Sequence, residues 1–160
     1  MMQMAAIFGV HCLLAFIRPA CSENIDYTIT IKTADRANAG TDADVFINIF
    51  GSYGSTGRKV LPDQTAGHFE RGDVDTFVLH TKNVGRIRAI EIGHNNRGHK
   101  AGWFLDYVEI VQKVAAVFDF NIRPGTTKYR FDFYGWIAND EGDGQLAKTI
   151  YTSFPQVNLG

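Results

Sequence analysis

Residues 27–33 read Tyr-Thr-Ile-Thr-Ile-Lys-Thr, with Tyr27, Ile29 and Ile31 alternating against Thr28, Thr30 and Lys32. A period of two is the signature of a strand with one face buried. The same alternation returns at 45–50, where Val45, Ile47 and Ile49 interleave with Phe46, Asn48 and Phe50. Shorter strand patterns follow at Arg58–Leu61, Asp75–His80, Arg86–Ile92, Trp103–Val111, Val114–Phe120, Lys128–Tyr134 and Gln145–Ile150. Turn clusters separate them, among them 38–42, 51–55, 94–102, 123–125 and 140–144. No segment carries a helical stripe longer than about three turns. Many short strands with regular turn signals predict an all-β chain folded as an antiparallel sandwich.

Composition agrees with a single globular domain. The chain has 160 residues, is 45 % hydrophobic and 21 % charged, and balances 16 Lys+Arg against 17 Asp+Glu. That balance gives no electrostatic case for nucleic acid. No apolar run reaches the roughly 20 residues of a transmembrane segment. Met1 to Ile17 carries no formal charge and is largely apolar, and Ala20-Cys21-Ser22 supplies small residues for cleavage after Ser22. Residues 1–22 are therefore expected to be a signal peptide, 23–151 the folded domain and 152–160 a C-terminal tail. Both cysteines, Cys12 and Cys21, lie within that leader. The mature domain is expected to be secreted and to meet millimolar calcium.

Motifs of catalysis are missing from the sequence. It has no G-x-S-x-G elbow, H-E-x-x-H, Walker loop or Rossmann fingerprint, so a non-enzymatic role is expected. His94 and His99 bracket Asn95-Asn96-Arg97-Gly98, but a structural zinc site needs four clustered ligands, and a turn explains the segment better. The loop Arg36 to Asp44 concentrates oxygen donors: the Asn38 amide, the Thr41 hydroxyl, the Asp42 and Asp44 carboxylates and carbonyls around Gly40. Such a set suits calcium, a hard cation taking six to eight oxygens, and equally suits an ordinary turn. Glycine at 40 would let the chain take a positive φ and aim its carbonyls inward. Asp140-Glu141-Gly142-Asp143-Gly144 reads as a hairpin turn carrying solvated charge.

Five segments in order resemble the PLAT (lipoxygenase-homology) domain. They are Ala39-Gly-Thr-Asp-Ala-Asp-Val-Phe-Ile after the Tyr27 strand, Phe69-Glu-Arg-Gly-Asp-Val-Asp-Thr-Phe, Gly85 to Asn96, Gly102-Trp-Phe-Leu-Asp-Tyr-Val-Glu-Ile, and Trp136-Ile-Ala with the acidic turn behind it. The resemblance spans roughly residues 26–151. It implies two four-stranded antiparallel sheets and a non-catalytic module that docks onto membrane lipid or a protein partner, often with calcium. Carried over residue by residue, it places metal ligands at Asn38, Gly40, Thr41 and Asp42, with Glu70 from the second motif. Relatives add an acid just before the later tryptophan or tyrosine. Ala101 and Gly102 stand there instead, leaving Asn95 and Asn96 as substitute donors. Tyr53 and Phe69 are the loop aromatics expected to contact a membrane or partner, although Phe69 also reads as a core residue beside Phe77. Trp103 and Trp136 are expected in the core. The alternative reading is an extracellular structural or protein-interaction module that needs no metal.

Overall fold

The computed structural model describes residues 23–62, 67–114, 125–152 and 156–158. Ten strands run in the order β1 Asn24–Thr33, β2 Val45–Gly51, β3 Gly54–Ser55, β4 Lys59–Val60, β5 Val74–Lys82, β6 Ile87–His94, β7 Trp103–Val114, β8 Gly125–Ile137, β9 Ala147–Tyr151 and β10 Gln156–Asn158. The described residues contain no helix, and every pairing is antiparallel. One sheet has the order β10-β8-β7-β1-β5. The other has the order β3-β2-β6-β9, with β4 also on β2.

The expected pair of four-stranded sheets is present, with two refinements. First, β3 and β4 are one edge strand interrupted at Thr56-Gly57-Arg58. Thr56 exchanges backbone and side-chain hydrogen bonds with Ile49, and Gly57 takes φ +71°. A bulge of this kind breaks an edge ladder without releasing it. Second, part of the expected tail, Gln156–Asn158, pairs with β8 and widens its sheet to five strands. The expected leader 1–22 and most of the expected strand Val114–Phe120 lie outside the described residues.

Alternation explains which faces close on each other. Tyr27, Ile29 and Ile31 from β1 meet Ile47 and Ile49 from β2, Ile90 and Ile92 from β6, Leu105 and Ile110 from β7, and Phe131 from β8 in one apolar layer. Each such side chain contributes about 1.5–3 kcal/mol on burial. Buried polar groups are satisfied inside this layer. Tyr27 Oη accepts from the Val84 N–H at 3.0 Å and donates to the Lys82 carbonyl, pinning the β5–β6 turn. Burial holds this phenol above its ordinary pKa.

Strand directions fix where the loops gather. β1, β6 and β8 end, and β2, β5, β7 and β9 begin, at the same pole of the sandwich. Connections 34–44, 67–73, 95–102 and 138–146 therefore share one rim. The turns after β2 and β5 lie at the opposite pole.

Candidate functional site

The rim is stitched by backbone bonds. The Thr41 N–H donates to the Phe69 carbonyl at 3.2 Å, and Asp42 N–H to Lys100 O at 3.0 Å. Phe104 N–H donates to Ala39 O at 2.9 Å, and Gly72 N–H to Ala34 O at 3.2 Å. These contacts pull the Ala39-Gly-Thr-Asp loop between the two later loops. A cleft of about 230 Å³ opens there. Asn38, Gly40 and Asp42 line it from the first loop, Glu70 and Arg71 from the second, and His99 and Lys100 from the third.

Glycine at 40 is needed for a different reason from the one expected. The left-handed residue is Asn38, at φ +60°, while Gly40 is not among the positive-φ glycines. A Cβ on Gly40 would stand 3.0 Å from the Phe69 carbonyl oxygen and 3.2 Å from Glu70 Cα. Close approach of two backbones, rather than an unusual φ, crowds any side chain at this position.

The structure separates the seven expected metal-ligating residues. Asn38, Gly40, Asp42 and Glu70 meet in the cleft. Thr41 does not line it. Its hydroxyl accepts from Ala43 N–H at 3.1 Å and donates to Ala101 O at 2.8 Å, acting as a buried latch between loops. Asn95 and Asn96 also lie off the cleft. Asn95 Oδ1 accepts from the Asp44 and Arg97 N–H groups, and its amide nitrogen donates to Asp44 Oδ2 at 2.6 Å. Asn96 gives its N–H to His94 Nδ1 at 3.2 Å. Local turn geometry occupies the Asn95 side chain, and Asn96 takes the left-handed position of the same turn at φ +57°.

Neither expected contact aromatic belongs to this rim surface. Phe69 is 2 % exposed, stacked on Phe77 at 5.5 Å and edge-on to Trp103 at 5.4 Å, so it packs the core. Tyr53 is 53 % exposed but sits in the turn after β2. Seven residues of strand at about 3.4 Å each place it on the order of 24 Å from the cleft. Trp103 is fully buried as expected, whereas Trp136 packs outside the main core. Arg71, His99 and Lys100 were not legible as cleft residues. No local pattern marks them, and strand register alone brings them together.

Charge in the cleft is balanced. The Asp42 and Glu70 carboxylates share its wall with Arg71 and Lys100, and Arg71 also donates to Asp35 Oδ1 at 2.7 Å on the outside. Among the described residues, no three His, Cys, Asp or Glu side chains converge on one point. The oxygen donors are of the kind calcium takes and too few to enclose it. An ion there would need water or a bound surface to complete a shell of six to eight oxygens.

Beside the cleft, His94 fastens the rim to β8. It is 2 % exposed, its Nε2 lies 2.8 Å from the Ile137 carbonyl, and its Nδ1 accepts from Asn96. This geometry assigns the proton to Nε2. Desolvation holds its pKa below the usual 6.5.

Comparison with known proteins adds four findings. A family model described as the PLAT/LH2 domain matches residues 27–151. Lipoxygenase homology domain-containing protein 1 of Homo sapiens is 41 % identical over 124 residues, covering 78 % of this chain and 6 % of its own length. Among solved structures, a calcium-dependent 11R-lipoxygenase is 29 % identical with TM-score 0.60, covering 80 % of this chain and 17 % of that one. A coral 8R-lipoxygenase, described as calcium-activated through a C2-like domain, is 26 % identical with TM-score 0.62, over 79 % and 17 % of the two chains. The chain thus spans a small fraction of the relatives it matches.

Proposed function

The chain belongs to the PLAT/LH2 domain family, and on that premise we propose that it is a secreted, non-catalytic docking module whose loop rim binds an anionic lipid surface with one weakly held calcium ion. The observation that carries this reading is the convergence of two separate loops on the cleft at Asn38, Asp42 and Glu70. The named calcium dependence of the 11R-lipoxygenase and the C2-like calcium activation of the coral enzyme support calcium as the ion. Asp42, Glu70 and the Asn38 amide would hold the ion. When bound, it supplies positive charge that a phosphate oxygen can share. Asn38 holds its left-handed turn, Gly40 lets the loops close, and Thr41 locks them, so the donors are positioned before any ligand arrives.

Calcium at about 10 mM should stabilise the native chain by about 1.4–2.7 kcal/mol, given an affinity of about 10⁻⁴–10⁻³ M. Phosphatidylserine vesicles should pellet the protein in calcium and not in chelator. Asp42→Asn with Glu70→Gln should abolish both effects. Failure to pellet in either condition removes the membrane reading. A second reading rests on Arg71 and Lys100, cations already present in the cleft, which would bind an anionic partner without metal. Pelleting that survives chelator and falls in Arg71→Gln with Lys100→Gln would establish it.

Secretion is proposed from the apolar stretch before Glu23. Expressed with residues 1–22 in cultured animal cells, the protein should appear in the medium beginning at Glu23. Retention in the cells with Met1 intact would remove this part of the proposal.

A further inference from the structure

A second surface lies on the outer face of the β8-β7-β1-β5 sheet, near the rim and outside the cleft. Trp103 and Leu105 turn inward, so Phe104 between them points out, yet it is only 5 % exposed. Three side chains cover it. The Arg36 guanidinium lies 4.3 Å above the Phe104 ring and 5.4 Å from that of Trp136. Trp136 and Tyr134 meet Phe104 edge-on at 5.2 and 5.1 Å. With Ala34 and Ala39, Phe104 forms a small buried cluster separate from the sandwich core.

Two features of this cluster are unexplained by packing. The first is Tyr134, 69 % exposed and held at φ +49°. Pairings Tyr107↔Asp132 and Leu105↔Gly135 leave Phe133 and Tyr134 opposite Asp106 alone, a bulge that aims the tyrosine outward. A bulky residue adopts a left-handed φ only against a steric penalty, and such outliers gather at functional places. Gly135, which would bear that φ freely, is the next residue.

The second feature is charge. Arg58 over Phe46 is paired with Glu91, and Arg130 over Tyr107 with Glu109 and Asp132. Arg36 is also ring-stacked, yet among the described residues no carboxylate pairs with it, and none of them accepts from the Trp136 indole N–H or bonds the Tyr134 hydroxyl. An aromatic platform thus carries a planar guanidinium fork, an indole N–H and a phenol, all unspent. Trp, Tyr and Arg are the residues that dominate the energetics of protein–protein contacts. The guanidinium fork matches a carboxylate bidentately.

We propose that Arg36, Tyr134 and Trp136 form a receptor for an acidic, aromatic-bearing segment of a partner protein, whose carboxylate completes the ion pair that Arg36 lacks. Charge argues for this occupant over a membrane. Gly142 packs against Trp136 and brings the exposed acids Asp140 and Glu141 alongside, which would repel anionic headgroups. A polypeptide can meet Arg36 with a carboxylate while turning a polar or basic residue to that acidic turn. Arg36, Tyr134 and Trp136 do not line the cleft, and Ala39 is the residue shared between the two places.

The two tryptophans make the test selective, because Trp103 is buried with its indole N–H bonded to Thr33 Oγ1 and serves as the internal reference. The isotope-labelled chain, in chelator throughout, is titrated with the blocked peptide acetyl-Gly-Asp-Phe-Gln-Gly-amide and with its lysine counterpart acetyl-Gly-Lys-Phe-Gln-Gly-amide. The Trp136 indole N–H signal should shift and saturate with the acidic peptide alone, while Trp103 stays fixed. Arg36→Gln and Arg36→Lys should each weaken the affinity about tenfold or more. Tyr134→Ser, which removes the ring without touching the cation, should weaken it as well. No response up to millimolar acidic peptide, an equal response to both peptides, or an affinity indifferent to Arg36→Gln would overturn the proposal. A Trp136 response to phosphatidylserine vesicles but not to peptide would overturn it in favour of a lipid surface.

Discussion

Trp103→Ala should destabilise the domain by about 3–5 kcal/mol, the range for removing a large buried aromatic. In a domain of this size that lowers the melting temperature by roughly 10–20 °C. Trp103 heads the fully buried side chains by volume, and its indole N–H donates to Thr33 Oγ1 at 3.0 Å. Truncation therefore creates a cavity and orphans a partner on β1. The effect should reach the rim, because Trp103 is in edge contact with Phe69, whose carbonyl receives the Thr41 N–H. Calcium-dependent stabilisation should weaken in the same variant. Thr33→Val separates the two contributions. It leaves the packing nearly intact and costs only the unsatisfied indole donor, about 1–3 kcal/mol. Thermal melting checks both variants, and a fall of less than about 4 °C for Trp103→Ala would contradict the assigned packing.

His94 should make stability depend on pH. Its folded pKa lies below the usual 6.5 because burial disfavours the imidazolium. The unfolded chain therefore binds the proton more readily, and stability rises with pH across that interval. The contribution is fully present above the unfolded value and is lost as pH falls through the folded one. Protonation also removes the Nδ1 lone pair that accepts from Asn96 N–H, so the 95–102 connection should loosen first. His94→Phe should flatten this acid limb while costing about 1–3 kcal/mol at neutral pH, since Ile137 O and Asn96 N–H lose their partner. Melting temperatures between pH 5 and 8 decide the matter. Equal slopes in the wild-type chain and the variant would assign the acid sensitivity elsewhere.

Strand positions were readable because burial on one face writes itself into alternate residues. Tyr27, Ile29 and Ile31 and their counterparts in β2 needed no more than that period. Short polar residues in loops carry less information, since the same atoms serve turns and ligands. Asn95 illustrates this: its amide looks like a donor to a cation and is consumed by Asp44 and Arg97. Phe69 shows the reverse, because a hydrophobic residue beside a turn can face solvent or core, and the stack on Phe77 decides for the core. Gly40 lines the cleft without the positive φ expected of it, its close neighbours being the Phe69–Arg71 backbone some thirty residues away.

The sequence on its own determined the class of fold, the main strands and the family, because periodicity and motif order are properties of neighbouring residues. Which loops share a pole, which cations enter the cleft and which rings lie under Arg36 depended on register between strands far apart in the chain. A shift of one residue reverses every side chain in a strand, and no local pattern records the distance between Arg36 and Trp136. Tertiary structure decided those matters by bringing the ends of seven strands to one rim.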